Sequence, residues 1–546
     1  MKKQVNPPFE MSTEDEFYSF KAYGDAADPS LLQPAREEQN FLAQVATLDD
    51  LYLGIGSSPF QFCGEETGNF PSFNSQNSPH VEANEEKSYA FPCASLEILR
   101  GCGSRISAVN RKGVHGLSNE VEEKASSPSE LSINDVIKLS AANFIQSKVA
   151  TGNELYAISH PYADAFLGLS EENARDVRLV QDLLSCAEKV SNQQYDSASK
   201  LLEECHKQSF KQMNKTQRLV YYFTAALSEK IERGRGRCTK IDSPRDPTAP
   251  SSATTAFFMK LPFSQITQFA GIQTMVEHVS GCRKVHVIDL ELRCGVYQTV
   301  LMQALAAECI HFKITAIATE PSTVIEEAGV RLNALATSLN VAFSFNVISL
   351  ENVVDFQISL FDLDEDEAVL VHSAHALEKL VMKPRELDIL MRIIRRINPR
   401  VMVIIEAEAN VNSPAFVNRF VEALLYCGAY FDSLEDCFKN DVAERLFIEA
   451  KVLNPVVRNA VAAEGDEREH RIVGITVWRA FLERFGMVEM ELSKLALTHA
   501  SMTLDRFECR HSCALAFNGN SLIVSWKETP ICSLSLWKFR QSKIMS

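Results

Sequence analysis

Five residues, Val285-His286-Val287-Ile288-Asp289, set a carboxylate at the end of an apolar run. Leu290-Glu291-Leu292-Arg293-Cys294-Gly295 follows, then a second apolar stretch from Gln298 to Ala306. The first run reads as a strand buried on both faces, the middle as an irregular loop and the last stretch as a helix. In open parallel α/β sheets, ligands gather where the carboxyl end of a strand hands over to a helix. Asp289 therefore occupies a nucleotide-type position. The accompanying chemistry is missing, because a dinucleotide loop needs spaced glycines that let backbone approach phosphate. Here Gly295 stands alone, with bulky Arg293 beside it. The enzymatic alternative on this geometry is an S-adenosylmethionine-dependent methyltransferase, with Asp289 at the first strand tip and Glu320, ending the next strand, accepting from a ribose hydroxyl. The same missing glycines count against it, and an acidic strand tip also serves to organise a loop. The residues point to recognition, with no catalytic residue, cofactor or metal expected.

Other chemical candidates are thinner. His372-Ser373-Ala374-His375 with Glu378 carries metal-ligating letters but lacks the HExxH order, and reads as a strand-to-helix junction. His286 alternates with core valines, the pattern of a satisfied interior histidine. Cys509-Arg510-His511-Ser512-Cys513 has no second pair at zinc-finger spacing. The chain has 14 cysteines, several inside expected helices and strands (Cys186, Cys205, Cys309, Cys427), which favours buried free thiols over disulfides. Neither a GxSxG elbow nor a P-loop occurs, so acyl and phosphoryl transfer find no support.

The elements that must hold these residues alternate from Phe263 onward. Strands are expected at Val285–Asp289, Ile314–Thr319, Ala342–Val347, Ala368–His372 and Val401–Glu406, separated by helices, which predicts a parallel sheet with right-handed crossovers. Pro384 suits the first turn of a helix with face Leu387, Leu390, Met391 and Ile394, stopped at Asn398-Pro399. Ser413-Pro414 opens a helix carrying Phe416, Phe420 and Leu424, and Gly428 closes it. Leu515–Phe517 and Leu522–Trp526 flank Asn518-Gly519, a hairpin signal. A parallel sheet finished by an antiparallel hairpin is the methyltransferase variant of the doubly wound, Rossmann-like fold.

Ahead of this core, three leucine-rich helical faces succeed one another: Leu179, Leu183, Ala187, Val190; then Tyr195, Ala198, Leu202, Cys205; then Leu219, Phe223, Ala226, Lys230. They form a helical cap (169–245) on the core (255–546), with Ser170 as N-cap before Glu171 and Glu172. Such seams serve either bundle packing or pairing between chains. Residues 1–168 are expected to be largely disordered, since 57–88 and 105–130 are rich in Ser, Asn, Gly, Pro and Glu. Two amphipathic stripes interrupt this arm: Phe41, Val45, Leu48, Tyr52, and Ile133, Ile137, Phe144. Each either docks a partner or packs back on the domain.

A net charge of −16 argues against broad clamping of nucleic acid. The basic run Lys230, Arg233, Arg235, Arg237, Lys240 reads as a solvated loop. No run approaches eighteen apolar residues, so no membrane span is expected, and the polar start after Lys2-Lys3 lacks a signal peptide's apolar core.

The strand Val285–Asp289 resembles the VHIID motif of the GRAS family of plant transcriptional regulators, with Val287 for Ile. Further landmarks follow in order: Val401–Asn410, Phe416-Val417-Asn418-Arg419-Phe420, Phe431–Glu435, Glu464–Arg468, then Trp526 and Ser535-Leu536-Trp537, similar to the SAW end motif. His470 stands where the family usually has Glu, and Pro455-Val456 replace the Arg-Glu pair of the PFYRE region. The resemblance implies a nuclear regulator that binds transcription factors or other family members, touches DNA only indirectly, and uses no membrane. It also implies that the leucine-rich cap pairs with partners through Leu179, Leu183, Val190, Leu219 and Phe223. Parts of the carboxy-terminal half look closest to DELLA-type gibberellin-signalling repressors, although the Asp-Glu-Leu-Leu-Ala motif is absent and Leu48-Asp49-Asp50-Leu51 is only an echo.

Overall fold

The computed structural model describes residues 131–149, 169–210, 214–237, 257–318, 323–349 and 357–540, with side chains omitted for 145–149. The Phe41–Tyr52 stripe, the polar stretches at 57–88 and 105–130, Lys240 and Glu320 lie outside these residues.

Four helices open the described chain: α1 (Ile133–Val149), α2 (Glu171–Ser191), α3 (Tyr195–Lys207) and α4 (Lys215–Gly234). The core follows as α5 (Pro262–His278), β1 (Lys284–Asp289), α6 (Val296–Leu305), β2 (His311–Ala318), α7 (Thr323–Ser338), β3 (Ala342–Ser349), β4 (Ala368–Ala374), α8 (Leu377–Leu380), α9 (Pro384–Ile397) and β5 (Val401–Ala407). The chain then runs through α10 (Phe416–Cys437), α11 (Val442–Ile448), a π-turn at Glu449–Leu453, α12 (Asn454–Val461), α13 (Ile475–Arg484), β6 (Met487–Met490), α14 (Lys494–Asp505), β7 (Cys513–Asn518), β8 (Ser521–Trp526) and β9 (Thr529–Phe539).

The strands form one sheet in the order β3-β2-β1-β4-β5-β9-β8-β7, with β6 paired to β9. The first five are parallel, and β9, β8, β7 and β6 are antiparallel. Strand alternation divides the interior in two. Val401, Val403 and Ile405 join the core shared with α5, α10 and the cap. Met402 and Ile404 join Leu387, Leu390 and Ile394 of α9 and Trp478 and Phe481 of α13 on the other face. This is the expected Rossmann-like arrangement with helices on both faces. The chain order reverses between β1 and β4, so the switch point lies beside Asp289.

Local signals place the boundaries. Ser170 Oγ accepts from the Asn173 amide to start α2, and Pro384 begins α9, which ends on Asn398 at φ 50°. The hairpin turn is Gly519-Asn520 between paired Asn518 and Ser521, with Gly519 at φ +62°.

Three expectations are corrected. Gly428 does not close a helix: α10 runs on to Cys437, and a Cβ at Gly428 would come 2.9 Å from Ile133 Cγ2 and 3.1 Å from Ile137 Cδ1. The glycine exists to let α1 cross α10 at close range. Second, the expectation of a largely disordered arm over 1–168 does not hold at Ile133–Val149, which is helical: its stripe takes the second of its two alternatives and packs back on the domain, with Ile133, Val136 and Ile137 buried, so the folded unit includes residues before 169. Third, the basic run begins inside a helix and not in a loop: Lys230 and Arg233 belong to the last turns of α4, Arg235 caps it, and Arg237 follows it. Lys230 meets Glu464, Arg233 meets Glu229 at 2.8 Å and also Glu467, and Arg235 meets Asp196 at 2.7 Å and Glu232 at 3.0 Å. These pairs neutralise a patch that could otherwise have served nucleic acid.

Candidate functional site

Asp289 stands at the tip of β1, fully buried. Its Oδ1 accepts from the Glu291 amide at 2.9 Å, and its Oδ2 accepts from Gln298 Nε2 and lies 2.8 Å from His372 Nδ1. His372 comes from the adjacent tip of β4, and its Nε2 lies 3.1 Å from Gln268 Oε1 on α5. The Leu290 amide donates to the His372 carbonyl at 2.9 Å. Both carboxylate oxygens of Asp289 are thus engaged, by the loop and helix that follow β1 and by His372 of β4. Gly295 turns through φ 70°, and a Cβ there would come within 3.3 Å of Leu332 and Ala328. The glycine therefore seats α6 against α7.

His286 is buried in β1, with Nδ1 3.0 Å from Glu367 Oε2 and Nε2 2.8 Å from Thr315 Oγ1. Burial lowers its pKa to about 4, against the pull of Glu367. It is a neutral core histidine with both nitrogens satisfied. Trp526 and Trp537 are fully buried; Trp526 Nε1 donates to Asp432 Oδ2 at 3.0 Å and Trp537 Nε1 to Ser535 Oγ at 2.9 Å.

Beside the Asp289 loop lies a cavity of about 160 Å³ between cap-side helices and strand ends. Phe257, Phe258, Tyr426 and Tyr430 supply apolar wall, while Arg293, His375 and Glu378 supply polar and ionisable groups. Arg293, at φ 52°, lies with its guanidinium carbon 4.4 Å from the Phe258 ring centroid. Sequence reasoning treated His375 and Glu378 as a junction, and nothing local marks them as neighbours of Glu406 on β5. The structure brings these three together.

The leucine-rich cap is arranged differently from the expectation. Leu179, Leu183, Val190, Leu219 and Phe223 are all at most 3% exposed. Phe223 meets Phe420 edge-on at 5.3 Å, and the others belong to the core shared with α10. These five side chains are filled inward, so none can touch a partner while the domain is folded. What the cap presents outward is Arg175, Arg178, Lys200, Glu203, Glu204 and, at its rim, Phe210, which is 50% exposed.

Two polar networks lie between the helices here, the first joining cap to core, and their pairings were not legible from the landmark segments that supply Glu435, Arg419 and Glu464. Arg218 of α4 bonds Glu449 at 3.0 Å and Glu435 at 2.6 Å, and Arg445 bonds Glu435 at 2.8 Å. Arg419 reaches Glu464 at 2.7 Å and the carbonyls of Ala460 and Ser413, both at 2.9 Å. Arg468 is buried on the Val411 carbonyl and Asn412. With His470 in place of the family's Glu, Asn459 holds the segment by donating to the His470 carbonyl at 2.7 Å. The ten described cysteines are free thiols, with Cys437 and Cys509 sulfurs 3.3 Å apart. No helix among the described residues is long and apolar enough to cross a membrane.

The model of the GRAS domain family matches residues 179–538. DELLA protein GAI1 of Vitis vinifera is 29% identical over 377 residues, covering 68% of this chain and 63% of that protein. DELLA protein RGL1 of Arabidopsis thaliana is 31% identical over 374 residues, covering 67% of this chain and 70% of that protein. The chain thus spans less than two thirds of the grape relative's length. The crystal structure of SCL7 in Oryza sativa superposes with a TM-score of 0.58 at 24% identity, covering 66% of this chain and 99% of that one, a likeness of fold.

Proposed function

This chain belongs to the GRAS domain family, and from that premise we propose that it is a nuclear transcriptional regulator acting through protein–protein contacts with transcription factors or other family members. One observation carries the reading at the level of chemistry. The strand-end carboxylate Asp289 has its oxygens committed to Glu291, Gln298 and His372, so the position where related folds hold a nucleotide is spent on holding the loop. A domain that invests its switch point in architecture acts through its surface. The outward face of α2 and α3, with Phe210 at its rim, is the surface we assign to partners. The relatives' name, DELLA, supports a place in gibberellin-type or developmental signalling.

Two measurements test this. Calorimetry of the purified protein with S-adenosylmethionine should give no heat; micromolar binding abolished by Asp289→Ala would replace the regulator with the enzyme. Affinity capture from plant nuclei should return transcription factors with the wild type and lose them with Phe210→Asp at unchanged circular dichroism. If the folded Phe210→Asp protein keeps every partner, recognition lies on another face.

A further inference from the structure

His375 follows β4, Glu378 lies in α8 and Glu406 near the end of β5, so three chain segments meet beside the cavity. One imidazole nitrogen and two carboxylate oxygens from these residues all lie within 4.8 Å of one another. His375 and Glu378 line the cavity, and Glu406 is 1% exposed. Glu406 Oε1 accepts from the Leu377 amide at 2.9 Å, whereas Oε2 is buried with no hydrogen-bond partner. An unsatisfied buried carboxylate oxygen is costly to keep and asks for an explanation.

The nearby cations do not provide one. Lys379 bonds Glu291 at 2.7 Å, and Arg293 lies 3.7 Å from the same carboxylate while its guanidinium faces Phe258. Glu291 thereby takes the direct contacts of both, and Arg293 and Lys379 act on Glu378 only through space. His470 Nδ1, at 3.9 Å from Glu378 Oε1, borders the group.

We propose that His375, Glu378 and Glu406 bind a divalent transition-series cation, of the Mn²⁺, Fe²⁺, Co²⁺ or Zn²⁺ type, at the floor of this cavity. One nitrogen with two carboxylates is a donor set for these ions; Ca²⁺ wants six or more oxygens and Mg²⁺ a largely hydrated octahedron. Ligands about 2.1 Å from one ion stand roughly 3–4 Å apart, so rotations of about an ångström close the set. Three protein ligands leave further positions for water or for a ligand in the cavity. Burial pushes Glu378 up to about 7 and Glu406 well above the usual carboxylate range, the latter helped by the charge of Glu378. Burial, then Arg293 and Lys379, keeps His375 neutral down to about 3, with a lone pair free for a metal.

Titration of the purified full-length chain with Co²⁺ alone tests this. Wild type should take up one equivalent saturably, with visible d–d absorption and a raised melting temperature. His375→Ala and Glu406→Gln should each weaken Co²⁺ by at least about tenfold. Gln keeps the oxygen that accepts from Leu377, and circular dichroism checks the fold; Glu378→Gln, on the cavity wall, serves if Glu406→Gln fails to fold. Absent saturable binding in the wild type, or unchanged affinity in folded variants, overturns the site. So does an intense near-ultraviolet thiolate-to-cobalt band, which would put the ion at Cys437 and Cys509. The outcome is independent of partner capture, so failure here leaves the regulator reading standing.

Discussion

Arg218 illustrates what a single side chain can secure. It sits 1% exposed between Glu449, itself fully buried, and Glu435, joining the cap to the π-turn. Removing one partner of a buried pair leaves the other charged and desolvated. Arg218→Ala should therefore cost about 3–5 kcal/mol, read by denaturant unfolding of the purified protein. Arg218→Lys should recover only part, because an ammonium cannot fork to two carboxylates. His286 makes a pH prediction with a definite sign. Its folded pKa of about 4 lies below the ordinary 6.5, so the unfolded chain takes up the proton first as pH falls. Its contribution is complete above about 6.5 and is lost towards about 4, at up to ~1.4 kcal/mol per pH unit. Glu367, Thr315 and Lys313 surround the ring, and His286→Asn removes the titration. The stability advantage of wild type over His286→Asn should shrink between pH 7 and pH 5; a constant difference would mean that the ring is not held neutral. Both His286 and Asp289 were legible in the sequence, because strand alternation and a terminal carboxylate are local patterns. Glu406 was not: its relation to His375 and Glu378 exists only through the pairing of β4 with β5.

Elements with local signals came out where the sequence put them, and the exceptions have nameable causes. The five parallel strands begin and end within three residues of their expected bounds, since short, mostly apolar and β-branched runs flanked by turns leave little choice. Gly428 misled because glycine is common at helix ends, while its use here depends on a helix 290 or more residues upstream. Gly428→Ala should destabilise by about 1 kcal/mol, because a Cβ 2.9 Å from the stiff Ile133 Cγ2 outweighs the gain in helix propensity. Gly428→Leu should cost about 1–3 kcal/mol by forcing α1 from α10, visible as a lowered melting temperature. The turn joining β8 to β9 was also hidden. It uses Lys527 and Glu528, both at positive φ (41° and 72°), in a place where Asn and Gly normally advertise a two-residue hairpin. Without that signal the long strand β9 did not stand out from the final residues.

At the scale of the whole molecule, α1 decides where the folded unit starts. Ile133, Val136, Ile137 and Phe144 are each at most 6% exposed. At about 1.5–3 kcal/mol for each buried side chain, the four are comparable with the ~5–15 kcal/mol stability of a typical domain, before the cost of ordering α1. A chain beginning at residue 169 should therefore be soluble only poorly and melt without cooperativity, whereas one beginning at residue 131 should unfold in a single transition. Equal cooperativity of the two by calorimetry would show α1 to be dispensable. The position of β9 has a consequence in time. It lies between β5 on one side and β8 and β6 on the other, yet among the described strands it is the last to be synthesised. From the synthesis of β5 (Val401–Ala407) until that of β9 (Thr529–Phe539), β5 therefore carries a bare hydrogen-bonding edge, the kind of surface that recruits other nascent chains. A premature stop between β6 and β9 would release a polypeptide with that edge permanently open, and its fate is aggregation or degradation in place of a shortened regulator.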